Sequence, residues 1–567
     1  MREDRSGSQI LFGFLPEQTV DLRGGIWKVK VWPQAEPVAV DPNALRAELQ
    51  KQVVRWANNA NDGGYSQDLF RNVPVRVVSL NKQSGVRVER FPRLWKCSAC
   101  DRVRETSAGN CQCGTSRRPG QLPFVAYHDD CGALKAPWIP KCPTHRQVRV
   151  RLPGTASAAE IRFECPECNL LLRRGFGFAN CECGRGRMSF NVHRAASVYT
   201  PRSLVMVNPP SLQRVRRLSE AGGAAQALDW ALSSFEAESV EATGNTTETL
   251  RADLRARGFS ASLIEQFVAQ AIQSGELTQD AEPPDLADDV RRTASAEAVQ
   301  IALALLDSRK RVKDLAAATE AWTPLGELYR DGYPTLFRSL FLEDVELVER
   351  FPVLTGVYGY TRGDSSPGES RLVPFRDRSG YLVYGDVAET EALFFRLDPL
   401  QVVEWLRTRG HAIPSVASAR SARVALLQQM RVPDINGGGN AVGAEVLTLI
   451  HSWAHSVMRQ IAVFAGVDRN GLSEFLLPHH LGFMIYAAAK GDFVLGGLQA
   501  VFETELHNFL RTIAENDYRC PLDPGCRSTS GACVGCLHVG EPSCRLYNQF
   551  LSRSTLRSSS GYFSALG

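Results

Sequence analysis

Residues 163–184 read FECPECNLLLRRGFGFANCECG, and residues 94–114 read LWKCSACDRVRETSAGNCQCG. Both follow one plan: C-x2-C, a spacer ending in Asn, then C-x-C-G. Two chelating pairs on opposed turns place four soft thiolates tetrahedrally, which suits Zn2+ and leaves no open position for catalysis. The expected ligands are Cys97, Cys100, Cys111 and Cys113 for one site, and Cys165, Cys168, Cys181 and Cys183 for a second. Gly114 and Gly184 let the backbone fold under the metal. A repeated spacing argues against buried free cysteines, and zinc-ribbon-like modules become the organising feature of the chain.

Between the repeats, YHDDCGALKAPWIPKCPTH gives His128-x2-Cys131 and Cys142-x2-His145. These form a Cys2His2 site, or they serve the neighbouring sites or the core. Near the C-terminus, Cys526, Cys533, Cys536 and Cys544 form a further expected zinc site, with Cys520 as a spare fifth thiol that could replace Cys526. Two to four structural Zn2+ sites follow in all. His451 and His455 in HSWAH share a helical face. Ser452 stands where a metalloprotease would have its Glu, so this pair reads as histidines hydrogen-bonded in a packing face.

The chain has 567 residues, 15 of them Cys, with 44% hydrophobic and 22% charged residues. This is too long for one core and ordinary for a globular protein. The N-terminal stretch has no apolar run fit for a signal peptide, and FMIYAAA (483–489) is typical of the longest apolar runs, far short of a membrane span. A cytoplasmic location is expected, where clustered cysteines are metal ligands rather than disulfides.

Net charge is +4, unevenly spread: residues 81–220 hold 24 Lys+Arg against 10 Asp+Glu. That segment is also the cysteine-rich one. Such a basic patch fits nucleic acid, and it equally fits a docking face for an acidic partner. Arg173, Arg174, Phe176, Arg185 and Arg187, in LLRRGFGF and GRGR, are the candidates to grip phosphates and stack on bases. The 55 Arg against 10 Lys suit phosphate recognition, and they also suit a GC-rich coding sequence.

The patterning predicts an α+β multidomain chain. Residues 1–90 alternate as a small β-rich unit, and 91–207 hold the zinc-binding modules. Residues 208–350 read as a helical domain, as in RADLRARGFSASLIEQFVAQAIQSGEL. Residues 351–435 are an α+β segment, and 436–567 form an α/β domain closed by the terminal cysteines. The dipeptide Gly-Lys is absent, so there is no P-loop, and no G-x-S-x-G elbow appears in context. No catalytic constellation emerges, and an enzyme is not expected.

The C-terminal third carries a resemblance. LIHSWAHSVMRQIAVFAGVDRNGLSEFLL (449–477), GFMIYAAAKGDFVLGGL (482–498) and GACVGCLHVGEPSCRLYNQFLSR (531–553) resemble the helicase-associated zinc-binding domain of MrfA-type helicases, also found in the DrmB component of the DISARM anti-phage system. SQILFGFLPEQTVDL (8–22), LPFVAYHDDCGALKAPW (122–138), VLTGVYGYTRG (353–363) and AETEALFFRLDPLQVVEWL (388–406) are similar to DrmB rather than to a helicase. Gly13-Phe14-Leu15 departs from that family's Gly-Pro-Gly. The resemblance implies a non-catalytic, DNA-binding, helicase-docking subunit. It would work with a DrmA-like helicase on single-stranded DNA or strand ends. Two alternatives differ in class: a pure scaffold without DNA contact, and a nuclease whose carboxylates the sequence does not reveal.

Overall fold

Asp41 begins a helix that the strand-like patterning of the first eighty residues conceals. Its carboxylate accepts from Ala44 N, Pro42 follows as the first helical residue, and Pro42–Asn58 runs as one helix. Leu45, Leu49, Val53 and Trp56 recur at helical spacing and are buried. The N-terminal region is therefore β-rich with embedded helices, Tyr65–Phe70 following Pro42–Asn58.

The computed structural model describes residues 11, 13–81, 83–154, 158–235, 286–306, 308–363, 368–435, 437–467, 471–487, 496–515, 519–528, 531–540 and 543–564, with scattered positions between 254 and 270. The helical stretch expected around 251–277 lies largely outside them. The architecture is mixed α+β, as the patterning predicts. The chain divides into two compact units rather than five consecutive segments: residues 1–209 with 354–388, and residues 210–353 with 389–567. The segment 351–435 is split because two long strands, Leu342–Thr361 and Gly380–Leu397, contribute to both units.

In the first unit, Val75–Ser79 pairs parallel with Tyr381–Tyr384 and antiparallel with Glu36–Val38. The helix Pro42–Asn58 packs on this sheet, where Leu49 and Trp56 join Val77, Leu354, Tyr358 and Val383 in one core. The cysteine-rich part has three small antiparallel sheets. They comprise strands at 95–96, 103–104 and 120–121; at 124–127, 134–135 and 189–192; and at 149–151, 162–164 and 171–174. Its largest core gathers Leu94, Leu122, Ile139, Val148, Val150, Ile161, Phe163 and Phe176.

In the second unit, helices Leu212–Glu220, Gly223–Leu232, Asp288–Leu305 and Ala419–Gln429 form the helical part. The 24-residue helix Ala441–Phe464 starts at Asn440, whose side chain accepts from Gly443 N, and is buried over most of its length. It packs on the antiparallel strands Leu472–Leu477 and Gly482–Ala487 and on the helix Leu506–Glu515. A buried charge network lies in the same unit. The fully buried Glu346 accepts from Arg309 Nε at 2.6 Å and from Arg396 Nη2 at 2.7 Å, and Glu343 pairs with Arg423. Among the described residues no helix is long and apolar enough to cross a membrane.

Candidate metal centres

One local turn is repeated four times in the cysteine-rich part. At Cys97 the backbone N–H donates to Arg102 O, and Asp101 N returns to Cys97 O. The same pair of bonds links His128 with Ala133 and Gly132, Cys142 with Gln147 and Arg146, and Cys165 with Leu170 and Asn169. The fifth residue of each turn has positive φ: 59° at Asp101, 71° at Gly132, 55° at Arg146 and 56° at Asn169. This left-handed residue tightens the chain so that ligands three apart face one point. The C-x-C-G halves close differently. Gly114 N bonds Cys111 O and Gly184 N bonds Cys181 O, with φ of 79° and 74°, as expected of these two glycines.

Cys97, Cys100, Cys111 and Cys113 converge as the spacing predicts, with Sγ–Sγ distances of 3.7 Å (Cys97–Cys113) and 3.5 Å (Cys100–Cys111). Burial works against ionisation of Cys97, but the N–H groups of Ala99 and Cys100 and the adjacent thiols bring it down to about 6. Burial and its sulfur neighbours push Cys100 up to about 12. Thiols this close cannot all ionise together without a cation among them.

The second repeat does not form one site. Cys165 and Cys168 join Cys142 and His145, whereas Cys181 and Cys183 join His128 and Cys131. In the first of these clusters Cys165 Sγ and Cys142 Sγ lie 3.5 and 3.6 Å from His145 Nδ1. In the second, His128 Nδ1 lies 3.1 Å from Cys131 Sγ and 3.4 Å from Cys183 Sγ, and Cys131–Cys181 is 3.5 Å. The expected four-cysteine site is thus replaced by two interleaved Cys3His clusters. Of the two readings of the middle residues, the one in which they serve the neighbouring cysteine pairs holds, not the separate Cys2His2 site. Strand pairing is the cause. Arg162–Glu164 pairs with Arg149–Arg151 and brings the Cys165 turn beside the Cys142 turn. Ser189–Val192 pairs with Phe124–Tyr127 and brings Cys181 and Cys183 to His128.

At the C-terminal end the expected set also changes by one member. Cys520 joins Cys526, Cys533 and Cys536, with Cys520–Cys533 at 3.4 Å and Cys526–Cys536 at 3.6 Å. The turn that carries Cys520 is held by Asp523, whose carboxylate accepts from Arg553 at 2.7 Å and from Cys520 N at 3.3 Å. Cys544 is drawn elsewhere because Glu474 N bonds Ser543 O. It lies with His451, His455 and Glu474. In the sequence the two histidines read as packing residues, and Glu474, in the Leu472-Ser473-Glu474 stretch, belongs to the helicase-associated resemblance without a ligand role.

The candidate DNA-contacting residues separate. Phe176 is only 7% exposed and packs with Phe124, Phe163 and Phe190, so it is not free to stack on a base. Its neighbour Phe178, 82% exposed, has the Arg187 guanidinium 4.7 Å above its ring. Arg173 lies 4.6 Å over Trp138, 66% exposed, and donates to Phe176 O. Arg185 pairs with Asp130 at 3.0 Å, and Arg174 is exposed. The register adds two residues. Arg151, Arg162 and Arg174 lie directly opposite one another across three strands, all exposed.

Residues 6–200 match the model of a family described as a domain of unknown function, DUF8724. The match spans the three clusters of the cysteine-rich part and about a third of the chain. A search of curated proteins found no match.

Proposed function

We propose that this chain is a non-catalytic DNA-binding and helicase-docking subunit of an anti-phage complex of the DISARM type, working beside a DrmA-like helicase. The supporting observation is the arginine row Arg151–Arg162–Arg174. Like charges directly opposite on one sheet face destabilise it. Arg151 pairs with Asp101 at 2.8 Å and Arg162 reaches Glu164 at 3.7 Å, so the three exposed guanidinium groups are only partly neutralised among the described residues. A polyanion laid across the three strands neutralises the row. The exposed pairs Arg173–Trp138 and Arg187–Phe178 offer flat surfaces for unstacked bases. The clusters are read as structural Zn2+ sites. Four-thiolate and Cys3His donor sets are those zinc takes, and they hold the short hairpins that carry the arginines.

The test is single-stranded DNA binding by the full chain across a salt series, with ATP hydrolysis followed in the same samples. Affinity that falls steeply between ~50 and ~200 mM salt, is lost on reversing Arg151, Arg162 and Arg174 to Glu, and comes without hydrolysis supports the reading. Salt-independent affinity, or none, moves weight to a protein scaffold. Hydrolysis by the chain alone contradicts the missing P-loop.

A further inference from the structure

The second unit contains a convergence of donors that the four cysteine-rich clusters do not include. His451 and His455 project from successive turns of the helix Ala441–Phe464, Glu474 comes from the strand Leu472–Leu477, and Cys544 from the loop after residue 540. Their ligand atoms all lie within 4.8 Å of one another. His451 Nε2 is 3.1 Å from Glu474 Oε1 and 3.3 Å from Cys544 Sγ, and His455 Nε2 is 3.3 Å from Glu474 Oε2. Relative exposures are 0% for both histidines, 1% for Glu474 and 2% for Cys544.

A hydrogen-bonded packing face does not account for this arrangement. His455 Nδ1 lies 2.8 Å from Leu537 O, a contact that requires a proton on Nδ1. In the neutral ring Nε2 is then a bare lone pair aimed at a carboxylate oxygen. Accordingly His455 Nε2 and both oxygens of Glu474 make no well-formed hydrogen bond, although a buried carboxylate without donors is costly. A cation among the four ligand atoms takes up both Nε2 lone pairs, the Cys544 sulfur and one oxygen of Glu474 at once, leaving the second Glu474 oxygen and His451 Nδ1 as the polar atoms it does not reach. With Zn–N and Zn–O near 2.0 Å and Zn–S near 2.3 Å, a tetrahedron has edges of about 3.3–3.6 Å, close to the separations seen.

Charge points the same way. Two neutral imidazoles, one carboxylate and one thiolate around Zn2+ sum to zero, whereas a four-thiolate centre carries −2 and a Cys3His centre −1. The neutral set is the one whose four members are all buried; each of the other clusters has at least one member partly or fully exposed. The contact from His455 Nδ1 to a carbonyl is also the usual outer-shell support of a metal-bound imidazole. Leu537 directly follows Cys536, so this one bond ties the donor set to the neighbouring four-cysteine turn.

We infer that His451 Nε2, His455 Nε2, Glu474 and Cys544 Sγ hold a fifth ion, a closed, charge-neutral structural Zn2+ centre inside the C-terminal module. The centre has no open position and supplies no catalysis. It joins helix, strand and terminal loop where the chain leaves no apolar alternative.

Crystals of the full chain measured on both sides of the zinc edge test this without any mutation. The expected map has an anomalous peak among these four side chains in addition to those at the four cysteine-rich clusters. Peaks at the other clusters with none here overturn the inference. Glu474→Gln keeps the shape and removes one anionic ligand. It should lower the zinc content of the purified full chain by one ion while the four cysteine-rich clusters stay loaded. A Glu474→Gln chain that is folded and retains the full zinc content also overturns the inference.

Discussion

In residues 97–183 the ligand clusters hang on strands of two to four residues, and Cys113, Cys168 and Cys183 are exposed. In residues 441–556 the ligands sit beneath a 24-residue helix, and none of Cys520, Cys526, Cys533, Cys536 and Cys544 is exposed. The first region has a modest core and needs its turns tied, so ligands are paired across hairpins and water reaches the outer sulfurs. The second has a large aromatic core around Trp453, Phe395, Phe483 and Phe509. There the donor set inside the core must balance its own charge. Within this second region the four-cysteine cluster keeps Cys533 and Cys536 half-buried, whereas the set inferred above, with one thiolate, one carboxylate and two imidazoles, is buried at all four members.

The comparison breaks most visibly if a thiolate is removed from the first region. Cys165→Ser should cost one metal ion and on the order of 10 kcal/mol of local folding free energy, leaving residues 142–174 open to protease. Metal analysis with limited proteolysis measures both effects. Next in size is the buried network of the second unit, where the core rather than a metal must hold charge. Glu346→Gln leaves Arg309 and Arg396 without their shared carboxylate and should cost about 3 kcal/mol, read by denaturant titration.

A smaller and pH-dependent effect sharpens the same contrast. Burial alone would raise the Glu343 carboxyl, but Arg396 and Arg423 overcome it and hold it below its ordinary 4.5. A lowered pKa in the folded protein means that this stabilisation is present above about 4.5 and fades as the pH falls through the folded value. Glu343→Gln should therefore destabilise by about 2 kcal/mol near neutral pH. The gap between it and the parent should close on acidification. A gap that is unchanged or wider in acid would contradict the assignment.

The cysteine turns were readable because C-x2-C and C-x-C-G are local, and their glycines and ligands fall where spacing puts them. The sharing of turns between sites was not readable. It is decided by strands as short as Arg162–Glu164, whose partners lie ten or more residues away. The helix Pro42–Asn58 was hidden because Val53 and Val54 beside charged residues mimic a strand, while its cap at Asp41 was there to be seen. Phe176 and Phe178 alternate in sequence, and only the packing of Phe163 shows that the first turns inward. The set His451, His455, Glu474 and Cys544 is spread over 94 positions on three elements, and no spacing rule links them.

The interleaving of the two Cys3His clusters is the claim on which the rest depends, and thiol labelling of the full chain tests it directly. In Cys165→Ser, alkylation under native conditions followed by peptide mapping should label Cys142 and Cys168 and leave Cys131, Cys181 and Cys183 protected. Labelling of Cys181 and Cys183 together with Cys168, while Cys142 stays protected, would show instead that the repeat closes on itself.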